Sequence, residues 1–198
     1  MDNFQTEIYP DYPGNSSNGD GGLRRFMIDL LETIVLSLIL FVGINAVSAR
    51  IRIESISMQP TLYAGNYVIV NKVAYKIGEP GRGDVIIFHY PPDPNREPYI
   101  KRVIGLPGDQ VEIENGKVLV NSTPMIEPYI KAPPSYSGSW TIPDDSLFVL
   151  GDNRNNSSDS HSWGMVPMEN VIGKAEVVYW PPDRWQVLNP SSAAAASP

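Results

Sequence analysis

The segment VEIENGKVLV, residues 111–120, decides the fold class of this chain. Two short runs rich in β-branched and other apolar side chains flank Asn115-Gly116, and this dipeptide is the strongest local signal for a tight β-hairpin. Other short apolar runs bounded by Gly, Pro, Asn and Asp occur at 67–70, 85–88, 147–150 and 175–180. The pattern predicts a mainly β fold, with one antiparallel β-sheet domain over residues 51–188.

An apolar segment precedes this domain. Residues 33–49 contain no charged side chain, and their apolar residues cover every face of a helix, so no polar face is left for water. We therefore predict a single transmembrane anchor over 23–50, with disordered polar tails over 1–22 and 189–198. The positive charges on the two sides of the segment are balanced, so they do not fix its orientation.

A cleavable signal peptide is the alternative interpretation of the same segment. Arg24-Arg25 precedes the apolar run, and Val47-Ser48-Ala49 places small residues at positions −3 and −1 of a cleavage site before Arg50. The 22-residue tail before the segment, together with Asp29 and Glu32 inside it, favours a retained anchor.

Composition excludes several classes of function. The net charge of −7 and the pI of about 4.8 argue against a nucleic-acid surface. The chain has no cysteine, which excludes disulfides, thiolate catalysis and cysteine metal sites. Its only histidines, His89 and His161, lack the spacing of metal ligands, so we expect neither a metal nor another cofactor.

Two groups are candidate bases for a serine nucleophile. The triplet Asp159-Ser-His161 suggests a Ser-His-Asp triad, but residues at i and i+2 of one loop do not usually present a carboxylate to an imidazole edge as a triad requires. Lys101 lies between Ile100 and Val103, where burial would lower its pKa. To act as a base near neutral pH, its pKa must fall from about 10.4 to about 8. An ordinary surface lysine on an edge strand is the alternative, and spacing alone favours it.

Three segments behind the apolar run together resemble the type I signal peptidases, the Ser-Lys membrane proteases. They are SISMQPTL at 55–62, RGDV at 82–85 with YIKRVIGLPGD at 99–109, and GDNRNNSSDSHSWG at 151–164. The likeness covers most of residues 24–180. It implies that Ser57 is the nucleophile and Lys101 the general base, and that the Ser57 backbone N–H and the Ser55 hydroxyl are the oxyanion donors.

The same resemblance implies supporting roles for four residues. Ser157 matches the hydroxyl that orients the lysine amine, Asp152 and Arg102 match a structural ion pair, and Asp159 matches a supporting carboxylate. The sequence departs from the family pattern at Ile56, where Gly is frequent, and at His161, where Arg is common beside the carboxylate. We expect the imidazole to give a more acid-tilted pH profile than an arginine would.

Substrate contacts are also implied by the resemblance. Met58, Leu62, Tyr99 and Ile100 match positions that accept small side chains at −1 and −3 of a signal peptide bound as an added strand, with plain core packing as the alternative. Trp140, Trp180 and Trp185 resemble aromatic residues of a membrane interface, with core burial as the alternative.

The expected function is therefore a cofactor-free, membrane-anchored serine endopeptidase that removes signal peptides from preproteins. The expected partners are these preproteins and the lipid bilayer, without nucleic acid, and we expect a monomer. The expected location is the cell membrane or the thylakoid membrane, single-pass, with the catalytic domain on the outer, periplasmic or luminal face.

Other interpretations remain. One is a catalytically silent homologue, one is an anchored structural β domain, and one is a soluble self-cleaving Ser-Lys regulator. Intermolecular self-cleavage after Ala49 is a further hypothesis, because the sequence before Arg50 fits a small-x-small site.

Overall fold

The computed structural model describes residues 19–188, so most of the two predicted tails lies outside the described residues. The chain divides into two compact units between Gly43 and Ile44. The first helix, α1 (Gly19–Val47), begins three residues before residue 22, the predicted end of the polar tail.

Helix α1 is long and apolar enough to cross a membrane. Its segment Gly22–Val47 has 26 residues and a mean hydropathy of 2.3, and its large apolar side chains are exposed on all sides. At about 1.5 Å per residue this length exceeds the hydrocarbon thickness of about 30 Å. The predicted N-terminal apolar helix is therefore present.

The remainder of the described chain is built mainly from strands. They are β1 (Ser48–Arg52), β2 (Tyr67–Asn71), β3 (Val85–Phe88), β4 (Tyr99–Gly105), β5 (Gln110–Glu114), β6 (Lys117–Val120), β7 (Thr123–Pro124), β8 (Gly138–Thr141), β9 (Ser146–Leu150), β10 (Val166–Pro167), β11 (Val171–Trp180) and β12 (Gln186–Val187). Two short helices interrupt them, α2 (Ala74–Ile77) and α3 (Ser160–Trp163), together with 3-10 turns at Arg154–Asn156, Met168–Asn170 and Pro182–Arg184.

The strands form two antiparallel sheets. The larger sheet has the order β1-β2-β11-β3-β4-β9-β10, with β12 paired to β11, and the smaller sheet has the order β7-β6-β5-β8. Every described strand pairing is antiparallel, which confirms the predicted fold class.

The hairpin predicted at Asn115-Gly116 is present between β5 and β6. Val111 pairs with Val120 and Glu114 with Lys117, and the two turn residues have φ angles of 50° and 74°. A two-residue turn with two positive φ angles suits Asn-Gly, because Gly has no Cβ to clash and Asn tolerates the left-handed region.

Strand β4 lies inside the larger sheet, between β3 and β9. All residues from Ile100 to Gly105 are buried, including Lys101 and Arg102, which point to opposite faces of the strand. The alternative interpretation, that Lys101 is an ordinary surface lysine on an edge strand, is therefore wrong. Both faces of β4 pack against side chains, since its residues contribute to all three apolar clusters of the core.

Two boundaries and one element differ from the predictions. Strand β1 begins at Ser48, because residues 48–52 pair with 67–71 as soon as the helix ends. Strand β11 begins at Val171 and not at 175, since its first residues pair with β3. The segment around Trp140, which is not among the predicted strands, is strand β8, and the indole packs against the Phe148 ring with centroids 4.9 Å apart.

Candidate active site

The loop that follows β1 holds the two serines of the site. The N–H of Ile53 donates to the Asn66 carbonyl at 2.8 Å, and the N–H of Gly65 donates to the Ile53 carbonyl at 2.8 Å, which ties the start of this loop to the sheet. Met58, directly after the second serine, is fully buried. Ser57 thus lies between Ile53, which is bonded to the Asn66 segment, and the buried Met58.

Ser57 and Lys101 form a buried pair. Lys101 Nζ lies 2.7 Å from Ser57 Oγ and donates to the Ile100 carbonyl at 3.0 Å, and the two residues are only 4% and 6% exposed. Lys101 lies on β4, inside the larger sheet, whereas Ser57 lies in the loop after β1, at the edge of that sheet. The distance allows direct proton transfer between the hydroxyl and the amine.

Burial makes the Lys101 amine a usable base. Loss of solvation lowers the pKa of Lys101 from 10.5 to about 8, and the negative charges of Asp159 and Asp152 oppose part of this shift. A substantial fraction of the amine is therefore neutral just above neutral pH. An exposed lysine would be almost entirely protonated there.

Two donors lie beside the nucleophile. Ser55 Oγ is 3.2 Å from Ser57 Oγ, so the two hydroxyls face the same way. The backbone N–H of Ser57 has no hydrogen-bond partner within residues 19–188. Both groups are thus available to an oxygen that develops negative charge near Ser57.

A contact that the sequence did not predict fixes the Ser57 backbone. The N–H of Asn153 donates to the Ser57 carbonyl at 2.9 Å, and Asn153 Nδ2 donates to the Ile56 carbonyl at 3.1 Å. Asn153 follows β9, the neighbour of β4, so these bonds join the nucleophile loop to the strand pair that holds the base. No local pattern in the sequence indicates this pairing.

Arg102 and Asp152 form the ion pair that the resemblance implies. Arg102 Nε and Nη2 donate to the two Asp152 carboxylate oxygens at 2.8 and 2.7 Å, and both side chains are buried. The guanidinium also lies 4.0 Å from the centre of the Tyr129 ring. Thr61 donates to the same carboxylate, which fastens the far end of the nucleophile loop.

Ser157 lies near the pair but makes none of the predicted bonds. Its hydroxyl is buried and has no hydrogen-bond partner in the described part of the chain. A Cβ on Gly151 would meet both this hydroxyl and the Ser57 carbonyl oxygen, which places Ser157 beside the nucleophile backbone. Orientation of the Lys101 amine by Ser157 stays a prediction.

Asp159 and His161 are in contact, contrary to the argument from their spacing. His161 Nδ1 lies 2.5 Å from Asp159 Oδ1, because Asp159 caps the short helix α3 and its carboxylate turns back over the first residues. The other carboxylate oxygen accepts from the Gly151 N–H at 2.9 Å. Since Ser57 is bonded to Lys101, this pair supports the site and does not form a Ser-His-Asp triad.

A second buried ion pair was missed from the sequence. Arg154 donates to both Glu127 carboxylate oxygens, one of them at 2.9 Å, and the Arg154 side chain is completely buried. Arg154 Nε also donates to the Gly151 carbonyl at 3.1 Å. The two partners are 27 residues apart, so only the tertiary fold brings them together.

A cleft of about 790 Å³ opens onto the dyad. One wall is the segment Arg50–Ser57, the other is Glu97–Lys101, and Ile87, Asn156 and Ser158 complete the lining. Tyr99 and Ile100 line it as expected. Met58 and Leu62 do not, because both are fully buried in the core, so the expectation that they contact substrate is not met.

The three tryptophans assigned to a membrane interface fall into two groups. Trp140 is half-buried against the core of the smaller sheet, so core packing describes it. Trp180 and Trp185 are exposed, by 52% and 63%. A membrane contact of these two residues stays a prediction.

Known proteins are similar to this chain over most of its length. The model of the family described as signal peptidase, peptidase S26, matches residues 27–180. Signal peptidase I of Leptolyngbya laminosa is 47% identical over 173 residues, covering 83% of this chain and 85% of that protein. The probable signal peptidase I-2 of Synechocystis is 44% identical over 168 residues, covering 81% and 77%.

A plant relative is also similar. The probable thylakoidal processing peptidase 2, chloroplastic, of Arabidopsis thaliana is 42% identical over 139 residues, which are 67% of this chain and 38% of that protein. The signal peptidase relatives imply a serine peptidase. The chain belongs to the signal peptidase family, peptidase S26.

Proposed function

We propose that the protein is a membrane-anchored endopeptidase that removes N-terminal signal peptides from exported preproteins with a Ser57–Lys101 dyad. One observation carries the proposal: the Lys101 amine is buried, has a pKa lowered to about 8, and lies 2.7 Å from Ser57 Oγ. A lysine in this state can take a proton from a serine hydroxyl, and no cofactor is required.

Acylation begins with the neutral amine. Ser57 Oγ attacks the carbonyl carbon of the substrate residue at −1, and its proton passes to Lys101 Nζ. The tetrahedral intermediate then loses the new amino terminus of the mature protein, which takes the proton from Nζ as the C–N bond breaks. The signal peptide stays bound to Ser57 as an ester.

Deacylation uses the same amine. Lys101 Nζ removes a proton from water, the resulting hydroxide attacks the ester, and the proton returns to Ser57 Oγ when the acyl group leaves. The Ser57 N–H and the Ser55 hydroxyl stabilise the oxyanion in both steps, since they lie at the nucleophile and the N–H has no other partner within residues 19–188.

The cleft suits a peptide bound as an added strand. Its two walls, Arg50–Ser57 and Glu97–Lys101, both lead to the dyad, and Ile53, Ile87 and Ile100 give it an apolar floor. These branched side chains leave room for small residues at −1 and −3 and restrict larger ones. Small residues at these positions are therefore the proposed specificity.

Helix α1 is the proposed single-pass anchor. The location is the cell membrane or a thylakoid membrane, with the catalytic domain on the outer or luminal side, and the enzyme acts as a monomer. The length and hydropathy of Gly22–Val47 support an anchor, and the likeness to a thylakoidal processing peptidase supports the second membrane.

The proposal is tested by incubating the detergent-solubilised full chain with a preprotein that has Ala at −1 and −3. The parent should cut after −1, whereas Ser57→Ala and Lys101→Ala should not. Ser139→Ala and Lys131→Ala are matched controls at exposed positions outside the cleft and should cut like the parent. A folded parent that binds the preprotein without cutting it would refute the proposal and favour a silent homologue.

A further inference from the structure

Four charged side chains line the cleft and take no part in the chemistry proposed above. They are Arg50, Arg52, Glu54 and Glu97. None of them has an ion-pair partner within the described residues. Charges that border a substrate path and have no partner in the protein are available to charges on the substrate.

The wall that leads to Ser57 has an alternating pattern. Ile51 and Ile53 are turned toward the core, with Ile53 only 2% exposed, whereas Arg52 and Glu54 are exposed. Successive side chains of an extended segment point to opposite sides, so the two charges share one side and the two isoleucines the other. From Ser57 toward the mouth of the cleft, the first charged side chain on this wall is Glu54 and the second is Arg52.

A peptide in this cleft has the same alternation. When its residues at −1 and −3 point into the apolar floor, those at −2 and −4 point outward. Side chains on one side of an extended chain recur about every 6.8 Å. The spacing is the same in the peptide and in the wall, so side chains that face each other at one position also face each other at the next. With the carbonyl of −1 at Ser57 Oγ, this alignment would set the residue at −2 beside Glu54 and the residue at −4 beside Arg52.

From this alignment we infer that Glu54 and Arg52 select signal peptides by charge, favouring a basic residue at −2 and an acidic residue at −4. The inference rests on the proposed function, because it takes the substrate strand and the small residues at −1 and −3 from it. It adds specificity determinants that lie outside the two small-residue pockets and act through side chains exposed on the cleft wall.

The expected effect is moderate. Opposite charges on facing strand positions contribute about two- to fivefold each, and like charges oppose binding by a similar factor. Because the exchange turns an attractive pair into a repulsive one at both positions, a preprotein with Lys at −2 and Asp at −4 should be cut at least about fifteenfold faster, in kcat/KM, than one with the two residues exchanged. Because both enzyme side chains are exposed, the preference should nearly vanish at about 1 M salt.

The test is a reciprocal exchange. The double variant Arg52→Glu with Glu54→Arg keeps the net charge of the chain and should reverse the preference between the two charged preproteins. A third preprotein, with Ala at −2 and −4, gives each enzyme its own reference rate, so the charge preference is measured as a ratio within one enzyme. Asp144→Arg changes the charge as Glu54→Arg does, but at an exposed position outside the cleft, and should leave the preference unchanged.

Each other outcome is decisive. An absent preference in the parent, a preference that persists in the double variant, or one that survives high salt would overturn the inference while leaving the peptidase assignment intact. If the double variant does not fold, Glu54→Gln and Arg52→Gln should each remove the preference at one position only. A parent that cuts none of the three preproteins would overturn the proposed function and this inference with it.

Discussion

Replacement of Lys101 by methionine should stabilise the fold while it abolishes activity. Burial lowers the pKa of this amine from 10.5 to about 8. At neutral pH this difference between the pKa values of Lys101 in the unfolded and folded states corresponds to about 3 kcal/mol of unfavourable free energy in the folded state. Methionine has similar length and no charge, but it loses the bonds to Ser57 Oγ and the Ile100 carbonyl, at about 1 kcal/mol or less each.

The expected net gain is about 1–2 kcal/mol at neutral pH, or about 2–8 °C in Tm for a chain of this size. Between pH 8 and 10.5 the unfolded parent holds a proton on Lys101 that the folded parent has lost. The contribution of Lys101 to the free energy of unfolding of the parent therefore rises with pH across that range. The advantage of Lys101→Met should be largest below pH 8 and should disappear toward pH 10.5.

The assay is unfolding of the full chain in detergent, followed by tryptophan fluorescence at about pH 7 and about pH 10. Lys131→Met is the matched control, because Lys131 is exposed and its substitution should change stability by less than about 0.5 kcal/mol. A Lys101→Met variant that is less stable than the parent at neutral pH, or whose advantage does not change with pH, would show that the buried ammonium carries no such cost.

Three further predictions concern activity. The rate of acylation should rise with pH and level off above about pH 8, since only neutral Lys101 accepts the Ser57 proton; a pH–rate profile without this limb would exclude Lys101 as the base. Gly151→Ala should lower turnover by about tenfold or more with an unchanged circular dichroism spectrum, because the added Cβ would lie 2.5 Å from the Ser57 carbonyl oxygen and displace the nucleophile; parent-like turnover would contradict this. His161→Arg places a permanent positive charge beside Asp159 and should change the pH dependence of activity, and identical profiles of the variant and the parent would refute the expectation.

Local sequence patterns predicted much of the fold because short-range chemistry decides those elements. Strand β3 has the predicted bounds of 85–88, and the Asn115-Gly116 turn joins the predicted pair of strands. The residues of the dyad were predicted from the likeness of three motifs. Their spacing alone favoured a surface lysine, since nothing near Lys101 in the sequence shows that β4 is flanked on both sides.

Features that depend on distant pairing were not predictable. Burial of Met58 follows from how the nucleophile loop folds onto the larger sheet, and its sequence context does not distinguish a core residue from a pocket residue. The Arg154–Glu127 pair joins positions 27 residues apart. The contact between Asp159 and His161 depends on the short helix that Asp159 caps, which spacing along an extended loop does not describe.

The pairing of β1 with β2 bears on whether one copy of the enzyme can cleave another. Ser48 and Ala49, at −2 and −1 of the candidate self-cleavage site, lie opposite Asn71 and Val70, and Arg50 lies opposite Ile69. A neighbouring copy can receive this segment as an added strand only after β1 has detached. Under the self-cleavage hypothesis, the rate of cleavage depends on how often the β1–β2 ladder opens, so a substitution that strengthens this ladder should slow self-cleavage without any change at the dyad.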